Sequence, residues 1–474
     1  MRKEDVCFMP AWEMAEKIKT QELSSQEITE ILIERIEKIN PIINAYCTPT
    51  FDMAREMAKR ADDRVRKNEK IPPLNGVPTS IKDLMPMKGV RTTYGSRIFE
   101  NNIPEDDAIT VKRLKNAGCV ILGKTNTPEF GFKGVTDNQI FGVTRNPWNL
   151  ERTSGGSSGG AAASVASGMG PLAQGSDGGG SIRHPACFCG TYGLKATFGR
   201  VPRDSGGPFK INLGLSVIGP IVRCVSDAAL MLDVIKGPSE SDGSSLPEDN
   251  VSYFEHVNER PGKLKIGYSL NLGFANVVDS EVEKAVIKSV EKFETLGWNV
   301  EEAKFKGIDP SLAFRTHWLI AFGHEVQPYL NEWKDKLDPT LITWVKAGLR
   351  FPASSLPLAM KTRAEFYASV HETFKDYDIL ITPTTAVPAF ELGTAAPRQI
   401  NGINVRATDW QPFTFPFNFT GHPAASIPCG WASGNLPIGM QIVGKRFSEL
   451  LILQVSKAFE EIAPWQDKKP DFNN

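Results

Sequence analysis

The feature that most constrains the fold is an alternation of two hydrophobic periods along the chain. Short β-type runs, "VPTSI" (77–81), "CVILG" (119–123), "KLKIGYS" (263–269), "YDILITP" (377–383), "AASIPCG" (424–430) and "PIGMQIVG" (437–444), are interleaved with stretches of helical period. The helical stretches include "DAITVKRLKNAG" (107–118), "DSEVEKAVIKSVEKFETLG" (279–297) and "SELLILQVSKAFEEI" (448–462). With "WNVEEAKF" (298–305), the segment from 263 reads as strand, helix, strand. Alternation of this kind predicts an α/β sandwich built around one large sheet. Ahead of it, "SSQEITEILIERIEKIN" (24–40) is an amphipathic helix opened by a Ser24…Glu27 capping box, and 51–70 is a charged surface helix. The polar stretch 236–250 reads as a surface loop open to proteolysis.

Composition excludes several classes of function. Lys plus Arg number 54 against 55 Asp plus Glu, a net charge of -1, which leaves no electrostatic footprint for nucleic acid or an anionic membrane. No apolar run approaches the roughly 18 residues of a membrane span, and the N-terminal residues lack the pattern of a signal peptide. The seven cysteines are scattered and form no CxxC pair, as expected of reduced core thiols in a cytoplasmic protein. Cys187-x-Cys189 has no second ligand cluster to make it a metal site.

Two serine- and glycine-rich patches stand out, "TSGGSSGGAAASVASG" (153–168) and "QGSDGGGSIRHPACFCG" (174–190). Such composition suits a flexible linker, yet both patches are flanked by apolar segments. A glycine run before a serine, as in Gly178-Gly179-Gly180-Ser181, lets successive N–H groups turn toward one point, and a following helix N-terminus adds a favourable dipole. That is how an oxyanion hole is built; a plain glycine-rich turn is the alternative. A serine nucleophile also needs a base. No G-x-S-x-G elbow surrounds Ser181, and His184 is too close in sequence to swing back over the hydroxyl. The other five histidines show no obvious orienting carboxylate, and Ser289-x-x-Lys292 lies in a charged helix. Lys82, in "LNGVPTSIKDL", follows a β-type run where an ammonium would be desolvated and its pKa lowered. A salt bridge to Asp83 is the competing reading.

"GVPTSIKDL", "GGSSGGAAA" and "GSDGGGSIRHPACFCGTYGLKATFGRV" together resemble the amidase signature family, and the likeness runs from about residue 10 to 465. The resemblance implies a mixed, twisted sheet sandwiched by helices in a single domain. Residues 1–70 would form N-terminal helices, 71–235 the catalytic core, and 236–474 the rest of the sheet with the helices of the pocket. It further implies Ser181 as nucleophile, Ser157 as a bridging serine after a cis Gly156–Ser157 peptide, and Lys82 as base. Gly178, Gly179, Gly180 and Ser181 would supply the oxyanion N–H groups, with Ser158, Asp177 and Arg183 bracing the loops. No metal or organic cofactor enters this scheme.

Bulky or aryl amides are the expected substrates, with aryl carbamates and esters beside them, and the protein is expected to be a monomer or homodimer. The alternative is the glutaminase component of a tRNA-dependent amidotransferase. For that branch an acidic residue is expected near "FTFPFN", where Gln411 stands, with Asp409 two places earlier. Candidate pocket residues are Gly131, Phe132, Phe188, Trp410, Phe413 and Phe415, with Phe130, Phe141 and Phe417 in the same segments. Phe413, Phe415 and Phe417 alternate as on a strand. A charge-poor aromatic cleft would leave a glutamine zwitterion without partners.

Overall fold

A computed structural model describes residues 1–203, 207–208, 213–305 and 307–472. Its centre is an 11-stranded mixed sheet with helices on both faces. In chain order the strands are β1 (Tyr46–Pro49), β2 (Pro78–Lys82), β3 (Val120–Thr125), β4 (Leu172–Asp177), β5 (Tyr192–Lys195) and β6 (Val217–Val222). They continue with β7 (Lys265–Tyr268), β8 (Asn299–Glu302), β9 (Ile379–Pro383), β10 (Ala424–Ala432) and β11 (Leu436–Gly444). Across the sheet the order is β1-β3-β2-β4-β6-β5-β10-β11-β9-β7-β8. Each β-type run named above forms a strand, and β2, β3, β4, β6, β9 and β11 are buried along their whole length. Of these, β3, β6, β9 and β11 carry largely apolar runs, as expected where helices cover both faces, while β2 and β4 bury polar residues beside the site.

One pairing positions the site. β2 lies parallel to β4, in the register Thr79↔Leu172, Ser80↔Ala173 and Ile81↔Gln174, so Lys82 and Asp177 end neighbouring strands at the same edge. Crevices outside the carboxyl ends of parallel strands are where α/β proteins take their ligands.

The two long N-terminal helices bury one face each. The capping box forms at α1 (Ser25–Ile43): the Ser24 hydroxyl accepts from the Glu27 N–H, and the Glu27 carboxylate accepts from the Ser24 N–H. Asp62, on α2 (Phe51–Arg66), accepts from the N–H groups of Ser25 and Gln26, so the second helix caps the first. The first 70 residues are not wholly helical, since β1 pairs antiparallel with β3 at the edge of the sheet. All seven cysteines are free thiols. The 236–250 loop lies at the surface but is tied down: Asp249 pairs with Lys236 and Arg200, and Asp242 accepts from the Arg203 N–H.

The strand expected around Phe413–Phe417 is instead a short buried helix, Phe415–Phe419. Pro416 sits in its first turn, where the missing N–H costs nothing, and Phe415, Phe417 and Phe419 all find apolar neighbours.

Candidate active site

Lys82 is the last residue of β2 and is fully buried. Its Nζ lies 2.7 Å from Ser157 Oγ, 2.9 Å from Ser158 Oγ and 3.0 Å from Ser176 Oγ. The salt bridge to Asp83 does not form. Asp83 turns to the other side of the strand, 3.3 Å from the buried Lys124 Nζ, and accepts from the Thr93 N–H and hydroxyl. Lys124 also donates to the Met85 carbonyl and to Thr92, so Lys82 is left among neutral partners. Burial therefore pushes the Lys82 amine well below its usual range, opposed by the charge of Asp177.

The hydrogen-bond inventory around Lys82 fits a neutral amine, which has two N–H groups to donate and one lone pair. Ser158 commits its own proton to the Ser176 carbonyl at 3.2 Å, so toward Lys82 it accepts. A neutral amine that donates to Ser158 and Ser176 would keep its lone pair for the Ser157 hydroxyl. Ser176, on β4, is not among the residues that sequence reasoning singles out; the two-residue period of "QGSD" places it on the face of Gln174, next to β2.

Ser157 follows a cis Gly156–Ser157 peptide and precedes the helix Gly159–Ala166. The Ser158 N–H donates to the Ser181 carbonyl at 3.1 Å, which ties the two serine–glycine patches together. Ser157 and Ser181 both line one cavity of about 150 Å³. The patches are two walls of one cavity and join no domains.

Asp177 and Arg183 form a buried bidentate pair, with both oxygens of Asp177 at 2.9 Å from the guanidinium. Burial works against the Asp177 carboxylate, but the charge and hydrogen bonds of Arg183 outweigh it and hold the group far below the usual carboxylate range. Arg183 further donates to the Thr414 carbonyl, Gln441 and Asn418. The glycine loop is thereby bolted to the segment 414–418 and to β11.

Of the four expected oxyanion donors, the Gly180 N–H is already taken: it donates to Asp177 Oδ1 at 2.7 Å. The N–H groups of Gly178, Gly179 and Ser181 have no protein partner among the described residues. Gly180 has φ +135°, and the space for a Cβ is filled by the His184 ring and the Thr414 hydroxyl, so only glycine fits there.

The pocket residues divide differently from expectation. Gly131 lines the cavity, and so does Phe130. Phe188 and Trp410 stack on each other with ring centroids 5.8 Å apart, and Phe413 is buried with them in the main core. Phe132 packs edge-on against Trp344, and Phe415 against Phe314. None of these five is on the cavity wall. Instead, the aromatic wall is Tyr94, Phe130 and two residues of the helix Ser311–Val326, Trp318 and Phe322. Nor is the wall free of charge: Arg203 and Glu325 both line it. Among the histidines, His256 does have a carboxylate partner, Glu259 at 2.8 Å, but the pair is exposed and off the cavity. Ser289 donates to the Cys429 carbonyl at 2.8 Å, which removes the Ser289–Lys292 pair from consideration.

Gly131 gives a local test. Its φ is +71°, and a Cβ there would lie 2.7 Å from Leu84 Cδ1 and 3.1 Å from Ser157 Oγ. Gly131→Ala is therefore expected to lower kcat at least about tenfold, because the left-handed backbone resists a side chain and the methyl crowds the Ser157 hydroxyl. Steady-state kinetics well below the Tm of the variant, which the strain should lower, check this; wild-type kcat would mean that Ser157 tolerates displacement.

Strand ends, glycine loop and cavity together make a candidate site at the carboxyl edge of the mixed sheet. A profile of the amidase family matches residues 27–453, and the chain belongs to that amidase signature family, whose members hydrolyse amides. It is 37% identical over 477 residues to an acylamidase of Rhodococcus erythropolis, covering 99% of this chain and 98% of that one. To the glutamyl-tRNA(Gln) amidotransferase A chain of Carboxydothermus hydrogenoformans it is 36% identical over 493 residues, covering 98% and 99%. Among solved structures, a bacterial aryl acylamidase superposes with a TM-score of 0.90 at 33% identity over 97% of each chain. The chain is an amide-hydrolysing enzyme.

Proposed function

We propose that the protein is a stand-alone amidase that cleaves bulky or aryl amides through an acyl-enzyme on Ser181. The observation that carries the chemistry is Lys82, buried without a carboxylate partner, with its Nζ 2.7 Å from the Ser157 hydroxyl. Ser181 loses its proton to Ser157 as Ser157 passes its own to neutral Lys82, and Ser181 Oγ bonds to the substrate carbonyl carbon. The N–H groups of Gly178, Gly179 and Ser181 stabilise the oxyanion. As the tetrahedral intermediate collapses, the C–N bond breaks and the proton on Lys82 returns through Ser157 to the leaving nitrogen. Water then attacks the acyl-enzyme by the same relay, releasing the acid and restoring Ser181. Ser158 and the Asp177–Arg183 pair hold the loops that carry these groups. The chain acts alone in this reading, as a monomer or homodimer in the cytoplasm, on a small amide. No helix among the described residues is long and apolar enough to cross a membrane.

Cavity size supports the substrate class. A volume of about 150 Å³ is the size that accepts one benzene ring, and Tyr94, Phe130, Trp318 and Phe322 give it aromatic walls. Burying a phenyl group there would contribute roughly 1.5–3 kcal/mol, or about 10–150-fold in kcat/KM over a short aliphatic amide. A second reading, the glutaminase component of an amidotransferase, is favoured by the 36% identity to an amidotransferase A chain along almost the whole length. Asp409, the nearest acidic residue to the "FTFPFN" segment, is bound to Arg406 and does not line the cavity. Measuring kcat/KM for an acyl p-nitroanilide, an aryl carbamate, glutamine and propionamide separates the readings. The aryl substrates should lead; glutamine as the best substrate would replace the amidase reading with the amidotransferase one.

A further inference from the structure

His184 takes no part in the proton relay, yet it is buried against the glycine loop, and its contacts form a chain. His184 Nε2 lies 2.6 Å from Thr414 Oγ1, and Thr414 Oγ1 lies 2.7 Å from the Gly179 carbonyl oxygen. A carbonyl only accepts, so the single hydroxyl proton of Thr414 goes to Gly179, and the proton between His184 and Thr414 sits on Nε2. Burial pushes the imidazole down to about 3, so it stays neutral across the working pH range.

The other end of the same peptide unit is also held, by the Gly180 N–H donating to Asp177 at 2.7 Å. Neighbouring carbonyls are drawn outward in the same way. The Asp177 carbonyl accepts from Asn418, and the Gly180 carbonyl accepts from the His184 N–H at 2.7 Å. Asn418, Thr414 and His184 all lie off the cavity wall. In a trans peptide the C=O and N–H point in opposite directions. With the Asp177 and Gly180 carbonyls turned away from the cavity, the N–H groups of Gly178 and Ser181 face the other way. The Gly179 carbonyl depends on the Thr414 hydroxyl, itself backed by His184, and a carbonyl oxygen swung into the site would repel the oxyanion.

We infer that His184 and Thr414 are positioning residues for the oxyanion hole, holding the Gly179–Gly180 peptide with its carbonyl away from the reacting centre. This rests on Ser181 being the nucleophile. Because the relay acts only where charge develops, its loss should appear in kcat and leave ground-state binding alone.

The test uses the full-length enzyme, an anilide substrate, a trifluoromethyl ketone that adds to the nucleophilic serine, and the carboxylic acid product as ground-state competitor. Thr414→Val and His184→Ala should lower kcat about 10–100-fold, below the loss for removing an oxyanion donor outright, with KM changed less than about threefold. Thr414→Ser, which keeps the hydroxyl, and His184→Gln, whose amide N–H replaces Nε2–H, should recover to within a few-fold of wild type. Ketone affinity should fall in parallel with kcat, while product affinity stays fixed. Unchanged kcat in Thr414→Val, a loss that Thr414→Ser does not restore, or equal losses for ketone and product would overturn the inference. Ketone adducts in the wild type found elsewhere than on Ser181 would instead overturn the nucleophile assignment on which it rests.

Discussion

Ser181→Ala is expected to lower amide kcat by roughly four to six orders of magnitude and to leave Tm almost unchanged. The size of the loss follows from the role: without Oγ there is no covalent intermediate, and only binding and the oxyanion donors remain to act on water. Stability should hold because Ser181 is half-buried and its hydroxyl has no protein partner among the described residues. Removing such a group falls within about 0.5 kcal/mol of neutral. Stopped-flow kinetics with an activated acyl substrate should show the burst of leaving group in wild type and none in the variant. A burst that survives would mean that another group accepts the acyl chain.

Lys82→Ala should cost nearly as much, about three to five orders of magnitude, and more on an anilide than on the matched phenyl ester. The difference arises at the leaving group. A departing amine must be protonated, and the proton on Lys82 supplies it through Ser157, whereas a phenolate leaves with little help. Equal losses on ester and amide would contradict the role. The pH profile gives a second readout, and its sign follows from the direction of the shift. Burial lowers the folded pKa of Lys82 below its usual range, so the working neutral form is populated above that lowered pKa and lost as pH falls through it. Activity should therefore rise from acid pH to a plateau that begins well below the usual lysine value, with the apparent pKa belonging to the coupled Lys–Ser group. Lys82→Met, which fills the same buried space without a titrating group, should lack that limb.

Much of the fold and of the relay is legible in the sequence because it is carried by local pattern. Strands such as β3, β9 and β11 show as apolar runs and Lys82 ends the β-type run of β2 visibly, whereas β4, with the sequence LAQGSD, carries no such run. The glycine loop after β4 shows itself because few other residues tolerate its backbone, as the filled space around Gly180 demonstrates. The cavity wall is not legible in this way. Trp318 and Phe322 sit in a helix that is apolar on several faces, and local sequence does not reveal which face opens onto a strand edge contributed by residues far earlier in the chain. The phenylalanines around 413–417 mislead for a related reason: alternation marks a strand only when one face is solvated, and here the core surrounds the segment. The competition for Gly180 is also hidden, since it depends on where Asp177 points once Arg183 has paired with it.

The central claim is that Ser181 is made nucleophilic by Lys82 through Ser157. Peptide-mapping mass spectrometry of the protein treated with a fluorophosphonate tests it most directly. One adduct per chain is expected, on the peptide containing Ser181, formed much more slowly in Lys82→Ala and in Ser157→Ala. An adduct on Ser157, Ser158 or Ser176, or labelling of Ser181 at the wild-type rate in Lys82→Ala, would contradict it.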